Sequence, residues 1–533
     1  MKRKNFLKSI ALAPFVVAFI NSCKSKKLIP GKITGATAAI GHLLRDKPPG
    51  EKADEVIEKK VVIVGAGISG LSAARALAKG NVDDFIVLEL ESYPGGNSSY
   101  ASNEISAYPQ GAHYIPVPNV YLSEYISFLQ DHGVITGFDE KGFPFYNEMY
   151  LCFDSQERLF INGNWQEGIV PKRGLQPGEL EEIDRFFSIM NHFRERKGTD
   201  DRYAFDIPVD QSSRDETFQQ LDRITMKQWL LVHNFNNAYL HWYVNYCTRD
   251  DFATSSDKVS AWAGIHYFAS RKGLAANASH SDVLTWPEGN GFLMNKLLES
   301  CKNNIRTNAL TTSVKPVQNV VEVTFIDTIT QKRVLVKASH CILACPQYVS
   351  GRLLKDEARQ VLTRTNFFYT PWLVANIKTV VPAGVADTGL SWDNVAYGSP
   401  SLGYVNATHQ LPQQFTPVKN LTWYLPFTTG NSKAERTRIA ALTHEDYCDL
   451  VIADLEKVHP GIGDLILEIN VTLWGHSMVQ PLPGFIFGEA RKKLSASIGN
   501  NIHFAHTDIA GISIFEEGFY QGINAARKVT SNL

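Results

Sequence analysis

The chain has 533 residues, of which 44% are hydrophobic, a composition typical of a globular protein with a large core. It contains 53 basic and 54 acidic residues, so its formal net charge is −1. This balance argues against a nucleic acid or another highly charged polymer as a partner.

The first residues predict an export signal that is not part of the folded protein. The basic segment from Lys2 to Lys8 precedes an uncharged, mostly apolar run from Ser9 to Ile20, which is too short to span a bilayer comfortably. The basic segment also resembles a twin-arginine export signal, with Lys4 in place of the second Arg. That route carries proteins that have already folded.

The apolar run ends in Ile20-Asn21-Ser22-Cys23, which resembles a bacterial lipobox. We therefore expect residues 1–23 to be a lipoprotein-type signal peptide, and the mature protein to be exported to the periplasmic side and anchored to the membrane by a lipid at Cys23. A cleaved soluble precursor and a simple membrane anchor are the alternatives. Residues 24–58 are basic, then Gly-rich, then charged, and predict a linker.

A compact βαβ unit begins at residue 60. The β-branched run Val61–Val64 predicts a strand that is buried on both faces, and a glycine-rich turn and a helix follow it. In this turn Gly65 would make the tight bend, Gly67 would let the backbone approach a pyrophosphate, and Gly70 would let helix and strand pack closely. The pyrophosphate would accept hydrogen bonds from the amides that open the helix, including those of Ile68-Ser69.

The second strand of this unit, Phe85–Leu88, ends in Glu89. A carboxylate at this position would accept hydrogen bonds from the ribose hydroxyls of an adenosine. It would also repel a 2′-phosphate, which argues against NADP. The site therefore predicts a dinucleotide with an unmodified ribose.

The rest of the chain alternates between mixed and regular segments. Residues 116–285 combine helical and irregular patterns with many aromatic side chains, and a regular helix follows Trp286–Gly291. We expect strands over Val314–Phe325 and Arg333–Leu343, a mixed block to about residue 480, and a last strand and helix after residue 502. No His, Cys or carboxylate spacing indicates a metal site.

Six segments resemble, in the same order, motifs of the flavin-containing amine oxidase and phytoene desaturase superfamily. They cover residues 60–530 and are the GG motif Pro94–Ser98, the segment Gly111–Tyr114 that passes the flavin, the turn Trp286–Gly291, the strand around Val314 whose backbone meets the adenine, the strand Ile342–Pro346 that ends in Ala-x-Pro, and the C-terminal flavin motif at Phe504–Asp508 with Glu517, Gly518 and Gly522.

This resemblance implies an α/β fold in which a Rossmann-type FAD-binding domain of the amine oxidase kind is assembled from discontinuous segments. The implied segments are 60–115, 286–350 and 481–533, while 116–285 and 351–480 would form a mixed α+β substrate domain. The cofactor would be FAD, and its implied binding residues are Gly65, Gly67, Ile68, Ser69, Gly70, Glu89, Gly95, Gly96, Asn97, Val314, Asp508, Glu517 and Gly518.

The sequence departs from the superfamily at positions close to the flavin. Asn97 stands where an Arg usually follows the two glycines, and Phe515 stands where a Tyr helps to enclose an amine. No Cys lies near Asp508, so a thioether link to the flavin is not expected. These differences weaken the case for amine oxidation itself.

The strand Val471–Met478 resembles the one that enters the substrate face of the flavin. Its His476 is the leading candidate for proton transfer because histidine titrates near neutral pH, and Trp474 and His113 are the other candidates for the catalytic site. Lys378 could instead lie near flavin N5, although an exposed strand lysine is the simpler interpretation. A purely structural role is equally open for His476 and His113.

The resemblance implies an enzyme that removes two electrons from a small, apolar or aromatic molecule by hydride transfer to flavin N5. The electrons would pass to dioxygen or another acceptor, and the oxidised bond, C–N or C–C, is left open. A desaturase or isomerase acting on a carotenoid or lipid is the first alternative. A non-catalytic FAD-containing binding or assembly protein is the second.

Overall fold

The computed structural model describes residues 27–46, 52–381, 390–412 and 416–533. The predicted signal peptide and Cys23 therefore lie outside the described residues. Within those ranges, no helix has the length and apolar character needed to cross a membrane.

A seven-stranded sheet forms around the predicted βαβ unit because Val61–Val64 is buried on both faces. Parallel pairing joins its first four strands, an antiparallel hairpin extends it, and a last short strand pairs in parallel with the end of the fourth. In spatial order the strands are Ile305–Arg306, Phe85–Leu88, Glu55–Val64, Arg333–Leu343, Val320–Asp327 and Ala309–Val317, with Ile502–Phe504 beside Arg333–Leu343. The sheet is thus assembled from distant chain segments, as the sequence predicts.

An eight-stranded mixed sheet forms the second part of the fold. Its long central strands are apolar on both faces, and they separate two hydrophobic clusters. In spatial order the strands are Ile33–Gly35, Ile466–Val479, Tyr369–Val380, Val418–Pro426, Tyr404–Asn406, Asp393–Ala396, Glu157–Ile161 and Asn164–Glu167. The two-stranded sheets are Tyr100–Ser102 with Ala107–Pro109, Tyr114–Pro116 with Val283–Thr285, and Ile135–Phe138 with Pro144–Tyr146.

Helices cover both sheets. The α-helices of the described residues are Ala38–Gly41, Leu43–Asp46, Ile68–Lys79, Ser123–Asp131, Pro177–Glu195, Glu216–Gln219, Met226–Val232, Ala238–Phe252, Ala261–Ala269, Gly291–Glu299, Gln347–Leu353, Glu357–Asn366, Ser432–Ala440, His444–Leu455, Ile462–Leu465, Glu489–Ser495, Thr507–Ala510 and Phe515–Thr530. The α/β fold class matches the one expected from the sequence, whereas the domain boundaries stay predictions.

The segment expected to be a linker, residues 24–58, is structured where it is described. Ile33–Gly35 pairs in parallel with Val471–Leu473, and the strand Glu55–Val64 of the seven-stranded sheet begins before residue 58. The sequence does not reveal the first of these pairings because the two partners are far apart in the chain and the short strand has no alternating pattern of its own. The linker prediction is wrong for these residues.

The C-terminal helix Phe515–Thr530 packs closely on helix Ile68–Lys79. A Cβ atom added to Gly522 would lie 2.2 Å from the carbonyl oxygen of Ser69, so only glycine permits this approach. We expect Gly522→Ala to lower the free energy of unfolding by about 1–3 kcal/mol, the usual cost of overpacking. Thermal denaturation would measure it, and Gly178→Ala, where the added atom meets open space, should leave the melting temperature unchanged or slightly higher.

Candidate functional site

The glycine-rich turn leaves an open groove at the start of helix Ile68–Lys79. Gly65 has a φ of +102°, and a Cβ there would lie 2.5 Å from the Ala344 carbonyl oxygen. A Cβ on Gly70 would lie 1.9 Å from the carbonyl oxygen of Gly65, whereas one on Gly67 would have no neighbour within 4 Å. The turn is therefore closed towards the protein and open towards a ligand, so a phosphate could reach the free amides that begin the helix.

Glu89 lies beside this groove with its carboxylate held by the backbone. The amide of Ala66 donates to one oxygen at 2.7 Å, and the amide of Glu91 donates to the other at 2.9 Å. Burial raises the pKa of Glu89, and the backbone hydrogen bonds partly offset this effect. The side chain is thus fixed at the end of strand Phe85–Leu88, the position from which it would bind a ribose.

The two glycines of the GG motif place their turn against the groove. The amide of Gly95 donates to the Ala66 carbonyl oxygen at 2.9 Å, and Gly95 and Gly96 both have positive φ angles. Asn97, which replaces the usual Arg, donates from Nδ2 to the Ser477 carbonyl oxygen at 2.6 Å. Asn97 therefore ties this turn to the substrate-side strand Ile466–Val479.

Asp508 is the second buried anchor of the predicted cofactor site. One carboxylate oxygen accepts hydrogen bonds from the Gln347 amide at 2.8 Å and from the Tyr369 hydroxyl at 2.6 Å. Burial raises the pKa of Asp508, but His506 and these donors outweigh it and hold the pKa below its usual value. Asp508 is therefore ionised at neutral pH and can orient a hydroxyl-bearing ligand.

Helix Phe515–Thr530 begins next to Asp508. A Cβ on Gly518 would lie 3.4 Å from Ser69 Oγ, so this helix reaches the start of the glycine-rich helix. Glu517 accepts a hydrogen bond from the Val209 amide, while its second oxygen has no partner among the described residues, and burial raises its pKa to about 8. A buried oxygen without a partner is expected where a bound group or water completes the site.

Val314 is fully buried on the strand Ala309–Val317, and the first amide of that strand donates to the Glu89 carbonyl oxygen at 2.8 Å. The open groove, the fixed acid Glu89 and the buried Asp508 thus surround one crevice at the carboxyl ends of the parallel strands. These residues fit an elongated dinucleotide such as FAD, whose phosphates Gly67 and the helix amides would hold and whose hydroxyls Glu89 and Asp508 would bind. Among the described residues, no group of three His, Cys, Asp or Glu side chains is placed to hold a metal ion.

The leading catalytic candidate does not have the expected chemistry. The ring of His476 lies 4.7 Å from that of Tyr348 and 5.8 Å from that of Tyr369. Burial, with help from Arg436, lowers its pKa to about 4. His476 is therefore neutral at physiological pH, and the expectation that it titrates near neutrality is wrong.

The other two candidates meet at the segment that precedes Tyr114. The Trp474 indole N–H donates to the Gln110 carbonyl oxygen at 2.7 Å, and the ring of His113 stacks on Tyr424 at 4.6 Å. Burial lowers the pKa of His113 to about 4, so it too is a neutral side chain. His113 is therefore not a proton donor at neutral pH, and the catalytic roles expected of Trp474 and His113 stay predictions.

Two further positions lie away from the predicted chemistry. Lys378 forms an ion pair with Glu104, which supports the simpler interpretation of a strand lysine near the surface. Phe515 packs in the core against Tyr125 at 5.8 Å and Phe519 at 6.5 Å. An aromatic cage built on Phe515 is therefore absent.

The cavity that His113 and Trp392 line borders a group of aromatic and acidic residues. The rings of His113 and Tyr114 lie 5.6 and 5.8 Å from Trp392, and the Tyr114 hydroxyl is 3.5 Å from Asp250 Oδ2. The Tyr246 hydroxyl lies at the same distance from Asp393 Oδ2. Tyr114, Asp250 and Asp393 lie deep in the protein but keep some accessible surface.

Burial is the main cause of the unusual titration of these carboxyls. It raises the pKa of Asp250 to about 7 and that of Asp393 well above its ordinary value, with repulsion between the acids adding to both. The sequence-based candidates did not include them. The signal was the spacing of Tyr243, Tyr246 and Asp250, which puts the three on one face of helix Ala238–Phe252.

A family model described as flavin containing amine oxidoreductase matches residues 68–530. The oxidoreductase PigB of Serratia sp. (strain ATCC 39006) is 24% identical over 295 residues, which cover 52% of this chain and 41% of PigB. The chain thus spans less than half the length of this curated relative.

Solved structures share the fold at low sequence identity. A putrescine oxidase double mutant superposes with a TM-score of 0.67 and 17% identity, and covers 89% of this chain and 100% of its own. Cyclohexylamine oxidase from Brevibacterium oxydans IH-35A gives a TM-score of 0.64 and 15% identity, over 89% and 99% of the two chains.

Proposed function

Since the chain belongs to the family of flavin-containing amine oxidoreductases, we propose that it oxidises a small amine with an apolar or aromatic body. Family membership makes it an FAD-dependent oxidoreductase that acts on a small molecule with an electron acceptor. The proposed part is the substrate class and the bond oxidised, which is the C–N bond.

The observation that carries this proposal is the Asp250 carboxyl behind the aromatic rings of the cavity. Arg271 pairs with Asp251 at 3.0 Å, whereas Asp250, Asp393 and Glu157 have no cationic side chain within salt-bridge distance among the described residues. Arg271 attracts the Asp250 carboxylate from a distance and pairs directly with Asp251, so a ligand cation would supply the direct partner that Asp250 lacks. The rings of Tyr114 and Trp392 add to this preference because aromatic faces attract cations.

Each side chain near the cavity has a separate role in the proposed oxidation. FAD, when bound, supplies a two-electron acceptor that takes a hydride equivalent from a substrate carbon at flavin N5. Asp250 would bind the substrate ammonium and accept its proton, which a carboxyl with a pKa of about 7 can do at neutral pH. Tyr114 and Trp392 would hold the substrate body and exclude water, while Trp474 fixes the segment that carries His113.

Anaerobic titration of the visible flavin band tests the proposal. Amines with aromatic or cyclic bodies should bleach the band, whereas matched alcohols and hydrocarbons without nitrogen should not. Bleaching or double-bond migration with unsaturated lipids, and none with amines, would make the desaturase or isomerase alternative correct. If no compound bleached the flavin while another protein consistently co-purified, the non-catalytic alternative would be favoured.

The proposal predicts a rise of kcat/KM with pH. Asp250 has a pKa of about 7 in the free enzyme, so it is mostly neutral below that pH and mostly ionised above it. Because only the ionised form attracts an ammonium, kcat/KM for a substrate that stays cationic should increase through about pH 7. The pKa read from this increase belongs to the group of interacting acids and not to Asp250 alone. A profile that falls over this range for a cationic substrate would contradict the assignment.

We also propose that the protein is exported and anchored by a lipid at Cys23. The support is the basic and apolar pattern of residues 1–23 and the lipobox-like sequence that ends them. Labelling cells with a radioactive fatty acid should mark the wild-type protein and leave Cys23→Ser unlabelled. Equal labelling of both would show that the lipid is attached elsewhere.

A further inference from the structure

Residues 36–46, called the strap here, cross the carboxyl edge of the nucleotide-binding sheet. On one side, a Cβ on Gly41 would lie 3.6 Å from Leu90, which directly follows Glu89. On the other side, helix Leu43–Asp46 contacts helix Gln347–Leu353, which follows the strand that ends at Leu343. Ligands of such sheets occupy the crevice outside the carboxyl ends of the strands, so the strap lies across the mouth of the crevice.

The strap is anchored firmly at its beginning. The strand Ile33–Gly35 pairs with Val471–Leu473, and the Thr34 hydroxyl donates to the Val471 carbonyl oxygen at 3.1 Å. Ile29 is buried in the hydrophobic cluster beneath the second sheet. This anchor belongs to the eight-stranded sheet, whereas the strap beyond it lies against the seven-stranded sheet that carries the glycine-rich turn.

The strap itself is held by few side chains, chiefly by Leu44, which packs at the edge of the hydrophobic cluster that contains Leu88, and by one polar contact. Its two short helices contain no buried residue. The Thr37 amide donates to Glu91 Oε1 at 2.7 Å, and the Thr37 hydroxyl donates to Glu91 Oε2 at 2.5 Å. The Glu91 amide in turn donates to Glu89 Oε1 at 2.9 Å. Glu91 therefore links Thr37 directly to Glu89, the carboxylate that we expect to bind the ribose of the cofactor.

We propose that the strap is a closure for the FAD site, which opens at the Thr37–Glu91 contact to let the cofactor enter or leave. A segment with no fully buried residue, one partly buried leucine and one strong polar contact can detach locally at low cost while its anchor stays folded. The strap would then move about its anchor, which stays in place as a hinge. Thr37 is a cofactor-retaining residue in this scheme and takes no part in oxidation.

Thr37→Val removes the hydroxyl donor but keeps the size of the side chain, and it tests the proposal on the purified holoenzyme. Release of FAD would be followed by the rise in free-flavin fluorescence, and loading by quenching when FAD is added to the stripped protein. We expect both rates to increase about tenfold, the effect of losing a hydrogen bond to a charged group. Thr34→Val removes an equivalent hydroxyl from the anchor and should leave both rates within about twofold of wild type.

Three results would overturn the proposal. The first is that Thr37→Val releases and loads FAD at the wild-type rates, and the second is that Thr34→Val accelerates both rates as much as Thr37→Val does. The third is that Thr37→Val releases FAD faster but loads it at the wild-type rate, which would indicate only a weaker contact with the ribose. Hydrogen exchange of the wild-type protein gives a test that needs no variant. Amides of residues 37–46 should exchange faster in the stripped protein than in the holoenzyme, and identical exchange would count against a closure.

Discussion

Gly67→Trp is expected to give a folded protein that binds no FAD. A Cβ at this residue has no protein atom within 4 Å, and the backbone φ of −74° suits any amino acid. The indole would therefore occupy the groove where we place the pyrophosphate without disturbing the surrounding chain. We expect the purified protein to be colourless, with a fall of at least about a thousandfold in FAD affinity because the phosphates lose the helix amides.

The matched control is Gly178→Trp, at a second open glycine that lies on a helix far from the crevice in sequence. It should remain yellow and bind FAD like the wild type. Circular dichroism of Gly67→Trp should show native secondary structure, because the effect is on the ligand. A yellow Gly67→Trp protein with the usual flavin content would place the pyrophosphate elsewhere.

Asp250→Asn should produce the largest loss of catalysis among the cavity residues. The substitution keeps the shape of the side chain and its contact with the Tyr114 hydroxyl but removes the charge that we propose binds the substrate ammonium. A hydrogen bond to a charged group contributes about 1.5–3 kcal/mol, so kcat/KM for a cationic amine should fall about 10- to 150-fold. The rise of kcat/KM near pH 7 should weaken or disappear.

FAD content separates this result from misfolding. Asp250→Asn should keep its yellow colour and melting temperature, because burial of the neutral amide costs less than burial of the carboxylate. Asp184→Asn, an exposed acid on helix Pro177–Glu195, should behave as wild type. If Asp250→Asn oxidised the amine at the wild-type rate, the cation-binding role would have to move to another residue.

The geometry of the glycine-rich turn and of Glu89 could be predicted from the sequence because these parts are local. Gly65, Gly67 and Gly70 stand between one strand and one helix, and Glu89 ends the next strand, so their geometry follows from short-range rules. Strand Phe85–Leu88 and strand Arg333–Leu343 have the bounds that their apolar patterns indicate. Where the requirement is local, a single sequence is sufficient.

The substrate cavity could not be predicted in this way. Tyr114, Asp250 and Asp393 come from separate parts of the chain and meet only after folding. His476 has the residue type expected of a proton carrier, but burial beside Arg436 moves its pKa to about 4. Burial and long-range charge decide such chemistry, and neither is visible in a motif.

The assembly of the nucleotide-binding sheet from distant segments also sets the order of events during synthesis. Glu55–Val64 leaves the ribosome early, but Ile502–Phe504, Asp508 and the helix that begins at Phe515 are made last. Part of the apolar face of the first βαβ unit therefore stays uncovered until almost the entire chain has emerged and the last strand and helix can pack against it. Because the proposed FAD site includes Asp508 and Glu517, a premature stop shortly before the final helix would leave a chain that has most of its residues but an incomplete cofactor site.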